Sequence, residues 1–500
     1  MSKKYLLLII PFLILGCGKS NKSQIEPQPT QTTVETPTET PPPLTTPTPT
    51  SIPITTTIPS STPTPTVTVV EKNSKTVTIY IHGYDEKGYK KTHDYGQKYY
   101  DTFRTNLVKY TELPTIDNYD KNEFTNIITA VDYYGENPPS YYSYKDQEDI
   151  ERVDKKYGGG IPKYAHIVAK FAKNALKESN ASKINIISVS MGSLVTRWLI
   201  EKDVEHLASD KKIAKWMTIE GVIHGNYALS QVDDDSFLNI FIENSADTDQ
   251  MKYKWIEENL NSVSKAINPT LYKDIMVSQL SFTDGGGSKS LLKYVLPIYS
   301  DRFLPNDGVL LFRDTYFDNN LTHTILHDTH LGVKDNRATF LSIDNFLEAK
   351  KRIQITLLNA SLTDIHEEIT DKNVGAEVVF ESRVFSPQAK DRWNMDDPID
   401  ERKYKSGTLD IYHYKEPNKT YALNQILFDG FVDSQEKELD IFLEGFEIDN
   451  SKTYDIKESG TNNNRDSIGV IQTTIKLENG VYEVSSDEWS GYIKVEVIPL

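Results

Sequence analysis

The stretch Ile184-Asn185-Ile186-Ile187-Ser188-Val189-Ser190-Met191-Gly192-Ser193 decides the fold, because an apolar strand enters a small-residue turn and an amphipathic segment follows at once. A serine on such a turn is held at strained backbone angles, with its hydroxyl at the tip of the strand. The N–H of Met191 then points to where an oxyanion would form. The pattern predicts a nucleophile elbow at Ser190. The alternative is a strand–helix junction with an incidental serine.

The residues around Ser190 fit the elbow with one departure. Gly192 supplies the small residue needed two positions after the serine, whereas Ser188 stands where glycine is usual two positions before it. Arg197 and Glu201 have the spacing of a surface ion pair on one helix. Apolar residues recur after the turn at intervals that predict a helix packed on a sheet: Leu194, Val195, Trp198 and Leu199.

The N-terminus predicts an export signal followed by a lipid attachment site. Lys3 and Lys4 precede an apolar run, 5–15, that is too short to cross a membrane. The string Leu13-Ile14-Leu15-Gly16-Cys17 resembles the lipobox of bacterial lipoproteins, and this resemblance implies that Cys17 is acylated. An ordinary secretory signal with an incidental cysteine is the alternative. We expect a bacterial membrane lipoprotein that lies outside the cytoplasm, on the outer membrane or cell surface.

Composition divides the chain into four predicted regions. The signal peptide is 1–16, and 17–74 is a Pro- and Thr-rich tether with too few large apolar groups to fold. In 75–351, strand-like runs alternate with helical periodicity, which predicts a doubly wound, mostly parallel α/β sheet. In 352–500, short strand-like runs between turn signals predict a β-sandwich with its own core, and Asn479-Gly480 predicts a two-residue hairpin.

Charge and cysteine content exclude several classes of function. The net charge is −17 over 500 residues and no basic block follows the leader, so nucleic acid is not an expected partner. Cys17 is the single cysteine, and its lipidation leaves no thiol for a disulfide. These patterns call for no cofactor.

Two further segments supply parts of an ester-cleaving site. The first long strand ends in His82-Gly83-Tyr84, and the N–H of Tyr84 is the candidate second oxyanion donor beside that of Met191. A simple strand–loop turn is the alternative. A serine nucleophile needs a base, and the base needs a third group to orient it. Asp307, in an Asn-Asp-Gly turn, is the candidate acid, and His330 is the candidate base.

Each of these partners has rivals. Asp314 or Asp318 could replace Asp307, which has the ordinary chemistry of a turn residue. The histidines His323, His327 and His330 cluster in sequence, but their spacing fits no zinc signature and no metal is expected.

In this order the motifs resemble those of lipase-type α/β-hydrolases over 76–350. The resemblance implies a Ser190–Asp307–His330 triad with oxyanion donors at Tyr84 and Met191. The sequence departs from the family in the elbow and in 218–225, which only partly match T-x-G-T-P-H-x-G. Gly332 stands where such lipases often carry an acidic calcium ligand, so no calcium site is implied. The insertion 226–299 is the expected place for a lid or acyl pocket.

The sequence thus favours a membrane-anchored serine hydrolase acting on lipid or other carboxylic esters. One alternative is a surface-displayed binding or adhesion lipoprotein with a catalytically degenerate hydrolase domain, since fold does not imply function. The other is an acyltransferase that uses the same triad. No ligand is assigned to 352–500.

Overall fold

The predicted parallel sheet is present, with six strands in the order β2-β1-β3-β4-β5-β6. All five neighbouring pairs are parallel. The strands are β1 (Thr76–Ile81), β2 (Ile128–Val131), β3 (Lys183–Val189), β4 (Ile213–Ile219), β5 (Met276–Phe282) and β6 (Thr322–Leu326). Because the strand order reverses between β1 and β3, the loops after these two strands border the crevice where α/β sheets bind ligands.

The structure is a computed structural model. It describes residues 76–84, 102–103, 105–107, 128–134, 138–231, 245–260, 272–283, 292, 306–317, 321–326, 328–330, 332–334, 336–349, 351–363, 376–385, 404–406, 412–414, 416–432, 436–448 and 465–500. The leader, Cys17 and the tether lie outside these ranges, as does most of the predicted lid insertion.

Seven α-helices with described bounds connect and cover the strands. They are α1 (Tyr144–Tyr157), α2 (Ile161–Ser179), α3 (Met191–Glu201), α4 (Tyr227–Ser230), α5 (Ala246–Gln250), α6 (Tyr253–Asn259) and α7 (Arg337–Leu347). Short 3-10 turns lie at Val204–His206, Phe312–Asp314 and Gly332–Lys334. None of the helices in the described part of the chain combines the length and apolar character needed to cross a membrane.

Alternate residues of the sheet belong to two different cores. Ile186 packs with Leu194 of α3 and Val168 of α2, so these helices cover the first face. Ile187 points the other way and packs in the core that contains Phe340 of α7. Successive side chains of a strand face opposite sides, and both faces of a parallel sheet need an apolar cover.

Two antiparallel sheets follow the α/β region, and they confirm the predicted all-β architecture. One has the order β10-β8-β12-β13 with β9 paired to β8, and the other has the order β11-β7-β15-β14. The strands are β7 (Lys351–Leu362), β8 (Ala376–Phe385), β9 (Tyr404–Ser406), β10 (Tyr412–Tyr414), β11 (Thr420–Val432), β12 (Glu438–Ile448), β13 (Arg465–Lys476), β14 (Gly480–Ser485) and β15 (Trp489–Pro499). The ring of Phe380 in one sheet contacts Trp489 in the other, with centroids 4.8 Å apart.

The two regions do not have the separate cores that composition suggested. The core on the second face of the parallel sheet continues into the sandwich, and Val70–Leu500 is one compact unit. Phe346 of α7 lies against Phe431 of β11, with ring centroids 5.2 Å apart. Thr324 of β6 donates a hydrogen bond to the carbonyl of Asp429 in β11 (2.7 Å). The prediction of separate cores was wrong because composition shows which segments are apolar but not which other segments cover them. The four region boundaries themselves stay a prediction.

The predicted hairpin at Asn479-Gly480 is wrong. The strands on either side, β13 and β14, belong to different sheets, so the turn is a crossover between sheets. Neither residue has the positive φ that the expected two-residue turn requires. The Asn479 side chain instead accepts a hydrogen bond from the N–H of Val497 in β15 (2.7 Å).

Candidate active site

Ser190 has the strained backbone of a nucleophile elbow, with φ 52° and ψ −125°, between β3 and α3. Three hydrogen bonds hold it there. Its N–H donates to the carbonyl of Ile219 at the end of β4 (2.9 Å), and its carbonyl accepts from the N–H groups of Ser193 and Val222. A residue stays in such a conformation only when its surroundings fix it, and this is common at functional sites.

Two glycines let the elbow approach the end of β1. A Cβ on Gly192 would lie 2.4 Å from the carbonyl oxygen of His82, and a Cβ on Gly83 would lie 2.9 Å from the Cβ of Ser190. Both distances are below any real contact of a Cβ, so the approach requires glycine at both positions.

The two serines that depart from the family's elbow are hydrogen-bonded to each other. The Ser188 and Ser193 hydroxyls lie 3.1 Å apart, and both residues are fully buried. The indole N–H of Trp216 donates to the Ser188 oxygen (2.8 Å), and the Thr218 hydroxyl donates to that of Ser193 (2.9 Å). Buried polar groups need such partners, so this small network explains why the altered turn keeps its shape.

The structure brings the three predicted triad residues into one hydrogen-bonded chain. The Nε2 of His330 lies 2.9 Å from the Ser190 hydroxyl, and its Nδ1 lies 2.7 Å from Oδ2 of Asp307. The N–H of His330 also donates to the backbone carbonyl of Asp307 (2.8 Å). These distances suit the tautomer that a general base needs, in which Nδ1–H donates to Asp307 and Nε2 accepts from Ser190.

Asp307 is fixed by its own turn. Its Oδ1 accepts hydrogen bonds from the N–H groups of Val309 (2.8 Å) and Leu310 (2.7 Å), which leaves Oδ2 for His330. The side chain of Asn306 accepts from the N–H of Gly308 (2.9 Å). Asp307 can therefore stabilise its own turn and also act as the third group of a triad, because a different carboxylate oxygen takes part in each role.

The described rivals lie elsewhere. Asp314 is buried and accepts a hydrogen bond from the Tyr253 hydroxyl (2.6 Å), and burial raises its pKa to about 7. His323 contacts the Ser281 hydroxyl (2.8 Å) and stacks on Tyr316, and burial lowers its pKa to about 3. The other two rivals, Asp318 and His327, lie outside the described residues.

The loop after β1 is locked beside the elbow. The Tyr133 hydroxyl donates to the carbonyls of His82 (2.6 Å) and Gly83 (3.1 Å), and the rings of Tyr133 and His82 stack with centroids 3.9 Å apart. Tyr84 follows directly, and Met191 is the first residue of α3. Their N–H groups remain the candidate oxyanion donors.

Gly332, at the position where such lipases often carry an acidic calcium ligand, has a packing role. A Cβ there would lie 2.0 Å from Oδ1 of Asp328. Asp328 accepts hydrogen bonds from the N–H of Thr329 and the side chain of Asn336, both at 2.6 Å. These contacts fix the loop that carries His330.

Arg197 and Glu201 form the expected pair (2.7 Å), but the pair is buried and not on the surface. Arg197 also donates to the carbonyl of Ile223 (2.7 Å), so it ties α3 to the segment after β4. Helical spacing predicted the contact but could not show that another segment covers it.

Glu220 is the site residue that the sequence analysis missed. It follows β4, is fully buried, and places Oε2 3.5 Å from Nδ1 of His330. Atoms of Glu220, Asp307 and His330 lie within 4.8 Å of one another, a spacing that a metal ion can bridge. Both nitrogens of His330 already have partners, so we assign no ion to it. The sequence did contain a signal for this role: Glu220 stands where the motif T-x-G-T-P-H-x-G has its first glycine.

Three of the solved structures that match the chain are distant likenesses. The mature form of a Bacillus licheniformis lipase is 11% identical, with a TM-score of 0.36, over 55% of this chain and 93% of that one. A metagenomic carboxyl esterase is 12% identical, with a TM-score of 0.34, over 52% and 66%. A phospholipase from Legionella pneumophila is 9% identical, with a TM-score of 0.31, over 83% and 91%. No protein-family model matches the sequence, and neither does any curated protein.

Proposed function

We propose that the chain is a serine hydrolase that cleaves carboxylic esters through an acyl-enzyme. The observation that carries this proposal is the unbroken chain from the Ser190 hydroxyl through His330 to Asp307, at distances of 2.9 and 2.7 Å. A degenerate hydrolase domain would have no reason to keep this chain together with a strained serine. The binding-protein alternative therefore has no support in this part of the molecule.

In the proposed reaction, His330 takes the proton from Ser190 as its oxygen attacks the ester carbonyl. The N–H groups of Met191 and Tyr84 stabilise the oxyanion, and His330 then gives the proton to the leaving alcohol. Asp307 orients the imidazole and stabilises its protonated form. A water molecule then attacks the acyl-enzyme as His330 takes its proton, and that proton returns to Ser190 when the acid is released.

We also propose that acylated Cys17 anchors the protein outside the cytoplasm, with 17–74 as a tether. Replacement of Cys17 by Ala should abolish labelling by an alkyne fatty acid and make the protein extractable without detergent. A labelled Cys17→Ala protein would place the anchor elsewhere.

Labelling with a fluorophosphonate probe and turnover of p-nitrophenyl butyrate test the hydrolase. Wild type should label and turn over, and Ser190→Ala should do neither. Ser179→Ala is the matched control, because Ser179 is a buried serine at the end of α2, away from the elbow, and this variant should still label. If Ser190→Ala keeps wild-type turnover, or wild type shows neither signal, the proposal is wrong.

A further inference from the structure

Glu220 has a backbone and an environment that disfavour a glutamate. Its φ is 46°, in the left-handed region, and none of its surface is exposed. Its N–H donates to the carbonyl of Leu280 (2.8 Å), which fixes the backbone after β4. Within the described part of the chain, neither carboxyl oxygen has a hydrogen-bond partner.

A structural role does not account for this residue. A left-handed φ strains any residue that has a Cβ, and a buried carboxyl without a partner loses its hydration. Glycine would avoid both penalties. Strain and an unpaired polar group at one position, next to a reacting centre, indicate a function for the side chain.

The carboxyl is aimed at the triad. Oε2 of Glu220 lies 3.5 Å from Nδ1 of His330, the same nitrogen that Oδ2 of Asp307 approaches at 2.7 Å. One acid that directly follows β4 and one from the turn before β6 therefore converge on one edge of the imidazole. We propose that Glu220 is a positioning residue, a second acid for His330 that can orient the imidazole when Asp307 cannot. This inference rests on the proposed function.

The two acids have different surroundings. Oδ1 of Asp307 accepts hydrogen bonds from two backbone N–H groups. The pKa of Glu220 is raised well above its usual range by burial and by the negative charges of Asp307 and Asp328. These surroundings favour the neutral form of Glu220 while the Asp307 charge is present. Removal of the Asp307 charge lowers the pKa of Glu220 and lets its carboxylate accept the Nδ1 proton.

The test compares two replacements of Asp307, each with and without Glu220→Gln. In Asp307→Ser, the short hydroxyl can still accept a backbone N–H of the turn but cannot reach His330. In Asp307→Asn, the amide N–H₂ faces Nδ1 and imposes the wrong tautomer, which costs about 10⁴-fold in kcat in a serine protease.

We expect Asp307→Ser to lose about 10²-fold in kcat and the double variant Asp307→Ser/Glu220→Gln about 10⁴-fold, the full cost of a triad without its acid. Asp307→Asn should lose about 10⁴-fold with either residue at 220. Both variants should gain activity as the base loses its proton, but Asp307→Ser should show a further rise as Glu220 ionises against the charge of Asp328, and the double variant should lack this rise. Asp247→Asn, a buried carboxyl outside the site, is the control and should cause no further loss in Asp307→Ser.

Equal turnover of Asp307→Ser and its double variant overturns the inference. Asp307→Thr, whose hydroxyl can also accept a backbone N–H of the turn, repeats the comparison with and without Glu220→Gln in case the serine variant does not fold. In the variant that folds, the downfield proton resonance of His330 Nδ1–H should be present, and adding Glu220→Gln should remove it. An equal resonance with and without Glu220→Gln also overturns the inference. Loss of turnover in Ser190→Ala must be shown first. If Ser190→Ala remains active, the proposed function itself fails, whereas equal Asp307→Ser variants reject only the role of Glu220.

Discussion

The two faces of the parallel sheet are covered in different ways. Helices α2 and α3, which flank β3 directly in sequence, cover the face that carries Ile186. The face that carries Ile187 is covered in part by Phe103 and Leu107, and otherwise by α7 and by strands of the sandwich, which come far later in the chain. The first face closes through neighbouring segments, whereas the second is completely covered only when the C-terminal region is in place.

The candidate triad straddles this difference. Ser190 immediately precedes α3 on the helix-covered face. His330 lies between β6 and α7, and both of these elements contact β11 of the sandwich. The position of the base therefore depends on the C-terminal region, although no residue of that region contributes to the triad. This relation predicts which changes should affect folding and which should affect chemistry.

Removal of the sandwich should have the largest effect. A chain that ends at Lys351 exposes the apolar residues of the second face, including Phe346, which is fully buried in the intact protein. Marginal domain stability, about 5–15 kcal/mol, cannot absorb this exposure, so we expect no soluble folded product and no turnover. Circular dichroism and ester turnover of the truncated chain measure this. A folded and active product would show that the two regions are independent, as composition alone suggested.

Replacement of His330 should separate chemistry from folding. His330→Ala should lower kcat by about 10⁴- to 10⁶-fold, as loss of a triad member does, with no change in thermal stability beyond about 2 °C. His206→Ala, at an exposed histidine on the helix-covered side, is the control and should match wild type. Retained turnover in His330→Ala would exclude it as the base.

Replacement of a single core residue, Phe431, should lower stability and leave catalysis intact. Phe431→Ala leaves a cavity against Phe346 and should lower the free energy of unfolding by about 3–5 kcal/mol. Turnover per folded molecule should remain close to wild type. Val481→Ala, at an exposed position of the same sandwich, should change stability by less than about 0.5 kcal/mol. A large fall in kcat for folded Phe431→Ala would show that the shared core also sets the active-site geometry.

The sequence predicted what depends on local pattern. Compact apolar runs located β1 and β3, and the small residues around Ser190 located the elbow, because each signal lies within one segment. Turn motifs, chain order and the resemblance to lipase-type α/β-hydrolases selected Asp307 and His330. Features made by distant segments were missed: the shared core, the burial of Arg197 and the second carboxyl at Glu220 all depend on what folds over them.

The smallest expected effect is a change of stability with pH. It arises from a buried carboxyl, that of Asp247, on the helix-covered side of the sheet. Asp247 in α5 accepts a hydrogen bond from the Tyr164 hydroxyl of α2 (3.1 Å), and burial raises its pKa to about 6. The folded state therefore binds the proton more tightly than the unfolded chain. Below about pH 4 this carboxyl does not lower the free energy of unfolding. As the pH rises to about 6 and above, the free energy of unfolding falls, by at most about 3 kcal/mol.

Asp247→Asn keeps an acceptor for Tyr164 and removes that cost. The variant should be more stable than wild type at pH 7–8 by about 1–3 kcal/mol, and the gain should vanish near pH 4. Asp249→Asn, an exposed neighbour on the same helix, should show no such pH dependence. Denaturant unfolding at several pH values measures the difference. A gain that persists at pH 4 would mean that packing, and not proton binding, distinguishes Asp247.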